Sequence, residues 1–278
     1  MIFALGIFIG LVMGLTGAGG AILAVPLLIV ITGLPLTQVA LIGLITVASA
    51  AALGAYLAWR KSQVRYRAAS LMALIGACTA PLGLSLAAVT PNRWLSLLFA
   101  IILVAVALRL WRQALAAPAP QAMDRVPAQD EGTEPRRKTL FCRLNDSTGR
   151  LIWTGSCTLC IAVTGAVTGF LSGLLGVGGG FFIVPALHSA TALSMHSAVG
   201  TSLMAIALTS AGVVLVAVLK GHALPMLLTL PMVAGALLGI SAGRVMAPRL
   251  AGARLQLGFA GLLSLVALSM AARAVGYL

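Results

Sequence analysis

Acidic residues are nearly missing from this chain: five Asp and Glu among 278 residues, against eighteen Lys and Arg. All five (Asp124, Asp130, Glu131, Glu134 and Asp146) fall within one stretch of 23 residues. No apolar run therefore holds the intramembrane carboxylate on which a cation-coupled carrier or a proton relay commonly depends. Charged residues make up only 8% of the chain, where a soluble globule carries about a quarter. Aromatics are scarce as well, at 5%, so no soluble basic face with interleaved rings is available for nucleic acid. The net charge of +13 is instead read as topogenic, with Lys and Arg marking cytoplasmic loops. Of the four cysteines, Cys157 and Cys160 form a CxxC. It has no βαβ context and no second pair at zinc-ligand spacing, so small apolar roles are expected and no metal site. The opening MIFALGIFIG lacks a basic n-region and is read as part of the first membrane segment and not as a removable leader.

What is present is long apolar sequence. Residues 1–59, 151–219, 221–243 and 255–272 contain no charged side chain. A membrane-spanning helix needs about 20 apolar residues, and the short alternating segments of a barrel are not seen. The fold class is an all-α polytopic integral membrane protein.

The chain also repeats itself. Residues 10–26 (GLVMGLTGAGGAILAVP) and 169–185 (GFLSGLLGVGGGFFIVP) are identical at eight of seventeen positions, at an offset of 159. That marks an internal duplication. The expected organisation is a first repeat over 1–115, a polar flexible linker over 116–150, and a second repeat over 151–278. The linker holds four of the twelve prolines and both signs of charge, a composition suited to a connector and not to a packed domain.

Each repeat divides into four segments: about 2–33, 36–59, 66–90 and 93–115, then 151–192, 195–219, 223–247 and 252–277. Basic residues cluster after the second segment of the first repeat (Arg60, Lys61, Arg65, Arg67). In the second repeat they cluster after the third segment (Arg244, Arg249, Arg254). The positive end switches between equivalent loops, as inverted repeats require. Inversion needs an odd number of crossings, so each first segment should be a hairpin bent at its glycines. The linker then lies in the cytoplasm and both ends outside; eight crossings in parallel repeats are the alternative.

Chemistry is expected at those bends. GLTGAGG (14–20) and GLLGVGGG (173–180) place glycines where a helix interior loses about 1 kcal/mol for each. Broken backbone at membrane depth survives where it is buried or lines a cavity. The helix that resumes presents unpaired N–H groups and its positive dipole end, which favour an anion. The glycine candidates are Gly17, Gly19, Gly20, Gly176, Gly178 and Gly179. Hydroxyl candidates are Thr46 and Ser49 in the first repeat and Thr201 and Ser202 in the second, with Thr209 and Ser210 nearby. Their bland role is back-bonding within a helix. No strand precedes the glycines and no GK[ST] follows, so they are neither a dinucleotide fingerprint nor a P-loop. Glycines 6, 10, 14 and 165, 169, 173 share helix faces at a spacing that admits a neighbouring backbone. His188, His196 and His222, with Arg60, Arg109, Arg112 and Arg244, lie at segment ends and read as interfacial.

The paired GxxG-x-GG…VP segments, AVGTSL at 198–203, and the basic linker resemble the sulfite exporter TauE/SafE family of membrane permeases. The resemblance spans 1–115 and 151–278. It is tighter in the second repeat than in the first, where ALIGL stands in place of GTSL. It implies export of sulfite, an organosulfonate or a similar small anion by alternating access, in the bacterial inner membrane. The expected partners are the anion and the bilayer, without nucleic acid; no cofactor and no enzymatic activity are expected. The alternative is a non-transporting membrane protein, either an assembly partner or a redox enzyme using the CxxC.

Overall fold

The computed structural model describes residues 1–17, 20–34, 36–61, 64–116, 154–180, 182–183, 186–187, 195–219, 221, 225–250 and 253–275. Its secondary structure is helical, and no strand occurs among the described residues. The helices are α1 (Ile2–Thr16), α2 (Gly20–Thr32), α3 (Leu36–Trp59), α4 (Tyr66–Val89), α5 (Asn92–Ala116), α6 (Gly155–Leu175), α7 (Met195–Leu219), α8 (Met226–Leu250) and α9 (Ala253–Val275). Among the described residues, five stretches are long and apolar enough to cross a membrane: Gln38–Trp59, Tyr66–Val89, Gly155–Leu175, Ser197–Leu219 and Met226–Met246. Helix α1, at 15 residues, reaches only about 22 Å, short of the ~30 Å hydrocarbon core.

The first segment breaks where its glycines fall. Helix α1 ends at Thr16, and Gly17 follows at φ 85° with its N–H on the Met13 carbonyl. When α2 begins at Gly20, the chain has turned back on itself. A β-carbon on Gly20 would meet Ile9 O at 2.8 Å and Met13 N at 2.5 Å. The second segment repeats the turn. Helix α6 ends at Leu175, Gly176 caps it in the left-handed region, and a β-carbon on Gly179 would lie 2.6 Å from Thr168 O. Gly20 and Gly179 are equivalent at the 159-residue offset, as are Ile9 and Thr168.

Glycine faces set the helix pairing. Gly6 abuts the Met232 carbonyl, Gly10 the Ala236 carbonyl, and Gly14 the backbone of Ile240 and Gly243. Ascending numbers meet ascending numbers, so α1 and α8 run parallel. Glycines of α8 answer from the other side: Gly235 meets Phe3, Gly239 meets Ile7 and Gly243 meets Leu11. Helices α6 and α4 pair likewise, through Gly165 with Met72, Gly169 with Gly76 and Gly173 with Ala80. Backbone-to-backbone approach supplies what lipid cannot, because helices in a bilayer gain little from burying apolar side chains alone. Helix α3 packs on α7 and α5 on α9. Exchanging helices of the first half for those of the second maps this set of pairings onto itself.

Candidate functional site

The two breaks lie against the long central pair α3 and α7. A β-carbon on Gly17 would overlap the Val199 side chain of α7, and one on Gly176 would overlap Ala40 of α3. Gly178 sits deeper. At φ 75° it faces Val47 of α3 at 3.1 Å, Ile206 of α7 at 3.4 Å and Ser210 Oγ at 2.8 Å, measured from its absent β-carbon. Val47 and Ile206 are near the midpoints of their helices. Broken backbone therefore meets the centres of both helices, the depth at which carriers with interrupted helices hold their substrates.

Four of the candidate glycines have positive φ values: Gly17 in the first break, at 85°, and Gly176, Gly178 and Gly179 in the second, at 71°, 75° and 63°. L-residues pay roughly 1–2 kcal/mol each for that conformation, so the second break is a place where glycine is required and not merely convenient. Around it, Gly176 N–H donates to Ser172 O at 2.9 Å and Phe182 N–H to Gly179 O at 3.1 Å. In the first break Gly17 and Gly20 are buried, while Gly19 lies outside the described residues.

The hydroxyl candidates are buried or partly buried in α3 and α7. Thr46 Oγ1 donates to Ile42 O at 2.8 Å, Ser49 Oγ to Ile45 O at 2.8 Å and Ser202 Oγ to Val199 O at 2.8 Å. Each spends its proton on the preceding turn of its own helix. Thr201 does more: Oγ1 donates to Ser197 O at 2.7 Å and accepts the backbone N–H of Arg65 at 3.0 Å, across 136 residues. It thereby ties the start of α4 to α7. Thr209 also back-bonds, to Ala205 O at 2.8 Å, whereas Ser210 Oγ is buried without a partner.

Arg244 departs from its expected interfacial place. Its guanidinium turns inward and donates to the Gly54 carbonyl of α3, beside the end of the α1 glycine face at Gly14. Arg60, Arg109 and Arg112 are exposed. The side chains of His188, His196 and His222 lie outside the described residues. The CxxC is not a disulfide: Cys160 and Cys78 carry free thiols, and Cys157 is disulfide-bonded elsewhere. No cluster of three His, Cys, Asp or Glu side chains that could hold a metal occurs among the described residues.

Parallel glycine-faced helix pairs, two broken segments and a buried α3–α7 core define a polytopic helical membrane protein organised about its helix breaks. The family model for the sulfite exporter TauE/SafE matches residues 2–270, and the chain belongs to that family. It is similar to two proteins of Xylella fastidiosa, each named a probable membrane transporter protein. The protein of strain Temecula1 / ATCC 700964 is 34% identical over 203 residues, covering 71% of this chain and 66% of the relative. The protein of strain 9a5c is 33% identical over 201 residues, with coverage of 71% and 66%. The match thus spans slightly less than two thirds of each relative's length. No solved structure matches.

Proposed function

We propose that the protein is a permease that exports a small, sulfur-containing anion, sulfite or an organosulfonate, by alternating access around its two glycine breaks. The observation that carries the reading is Gly178, a left-handed glycine lodged between the centres of α3 and α7 beside the unpartnered Ser210 hydroxyl. Family membership and the relatives' names support transport as the activity. The parallel pairs α1–α8 and α6–α4 support inversion of the two halves, 1–115 and 151–278. With each first segment turning back at its glycines and the later helices alternating, both pairings come out parallel only if the second half is upside down.

Direction follows from charge. In a cell with a negative interior, one negative charge leaving gains about 2.3 kcal/mol per 100 mV. Uptake would need a coupled cation, commonly held by an intramembrane carboxylate, and every Asp and Glu of this chain lies between 124 and 146. Outward movement needs no such group. Flux into and out of proteoliposomes at imposed potentials tests this reading. Sulfite movement that follows the potential supports it; uptake against an inside-negative potential without an ion gradient overturns it.

A further inference from the structure

Among the described residues, three buried side-chain atoms lack a hydrogen-bond partner: Arg65 Nε, Ser172 Oγ and Ser210 Oγ. Two of these three bracket the second break. Ser172 occupies the last turn of α6, where its carbonyl accepts the Gly176 N–H at 2.9 Å. Ser210 approaches from α7, its Oγ 2.8 Å from the place of a β-carbon on Gly178. Both residues are 0% exposed. Neighbouring hydroxyls behave differently: Thr168 donates to Thr164 O, Ser202 to Val199 O and Thr209 to Ala205 O. Buried polar groups left unmatched by the protein mark a place where a ligand or water completes the bonding.

The first half has no counterpart. At the 159-residue offset Ser172 corresponds to Met13 and Ser210 to Ala51, and both are fully buried. Neither a thioether nor a methyl group can donate a hydrogen bond. The hydroxyl pair therefore belongs to one break only, despite the symmetry of the helix pairings.

We infer that Ser172 and Ser210 are the side-chain hydrogen-bond donors to the transported anion, and that its oxygens are held at the second break alone. This rests on the permease reading above. Two neutral donors suit a small oxyanion with at least two accepting oxygens, such as sulfite or the head of a sulfonate. They bring no fixed charge that would hold the anion too tightly to release. A halide offers no separate oxygens for the pair to share.

Sulfite flux from proteoliposomes, measured against concentration, tests the inference with Ser172→Ala, Ser210→Ala, Ser210→Thr and the exposed control Ser85→Ala. Loss of one donor to an anion should raise the KM for sulfite about tenfold, with the maximal rate less affected. Ser210→Thr should restore much of the affinity, Ser85→Ala should match the wild type, and sulfite should protect the wild type against thermal unfolding more than either alanine variant. If the alanine variants keep the wild-type KM and protection, the hydroxyls are satisfied by structural water and the inference is overturned, whether or not their stability falls. A wild-type protein that moves no anion defeats the permease reading itself, a separate result.

Discussion

Gly17 rests against the side chain of Val199, so that a β-carbon at position 17 would overlap the isopropyl group. Gly176 rests in the same way against Ala40, and Ala40 is the residue equivalent to Val199 at the 159-residue offset. Each half thus lodges its break against the central helix of the other. Gly17→Ala should lower stability for two reasons, the overlap and the positive φ of 85°. Adding Val199→Ala removes the overlap with the two γ-methyls, leaving a tight 3.1 Å approach to the β-carbon at 199 and the backbone cost of about 1–2 kcal/mol. Thermal unfolding in detergent should therefore show partial rescue in the double variant, and full rescue would mean that the backbone at 17 is unstrained.

Gly10 and Gly258 should respond to alanine in opposite ways. A β-carbon on Gly10 would run into the Ala236 backbone, which cannot rotate aside as a side chain can. Gly10→Ala should force α1 away from α8 and lower the unfolding temperature. Gly258 of α9 is exposed and has nothing within 4 Å of its β-position. Gly258→Ala should be neutral, or stabilising by up to about 1 kcal/mol through helix propensity. Equal effects at the two positions would contradict the close α1–α8 pairing.

Much of this architecture was legible in the sequence because lipid imposes simple rules on length and polarity. The segments expected at 36–59 and 195–219 coincide with α3 and α7, and those at 66–90 and 93–115 fall within a residue or so of α4 and α5. The break after residue 16 was legible because consecutive glycines cannot be good helix. What could not be read was which surfaces meet. The spacing of glycines 6, 10 and 14 announced a backbone neighbour without naming α8. Nothing local linked Arg65 to Thr201, and nothing local distinguished Ser210, with no partner, from Thr209 beside it, which back-bonds. Inward turning of Arg244 was missed for the same reason: its acceptor, the Gly54 carbonyl, is 190 residues away.

Thr201 is expected to act first as a structural tie. Thr201→Val preserves shape but leaves the Arg65 N–H without its acceptor at the start of α4. The cost should be about 1–3 kcal/mol, seen as a lower unfolding temperature. Thr201→Ser keeps the oxygen and should retain most of the stability. If valine and serine behave alike, the bond contributes nothing measurable.

Cys157 and the basic loops make opposing statements about the end of α6 that follows the linker. The charge distribution leads us to expect that end in the cytoplasm, whereas Cys157 is disulfide-bonded and cytosolic thiols are kept reduced. We expect the charges to prevail, with the bridge open in cells. In a variant that keeps only Cys142, an impermeant thiol reagent added to intact cells should label weakly until the membrane is permeabilised. Efficient labelling from outside would place the linker on the oxidising side and reverse the proposed topology.

Gly178 is the position at which function should be most sensitive to a single β-carbon. Alanine there adds only one methyl group and should be milder than leucine, but it is opposed as well: φ is 75°, and the methyl would stand 2.8 Å from Ser210 Oγ and 3.1 Å from Val47. Gly178→Ala should therefore reduce sulfite flux substantially, and Gly178→Leu should abolish it by filling the space between α3 and α7. Gly6→Ala, on the packing face away from the break, should lower stability more than flux. Purified yield and unfolding temperature must be measured beside flux, so that loss of transport is separated from loss of fold. Intact flux in a well-folded Gly178→Leu protein, with flux lost in Gly6→Ala, would make the glycine breaks scaffold and move the binding site elsewhere.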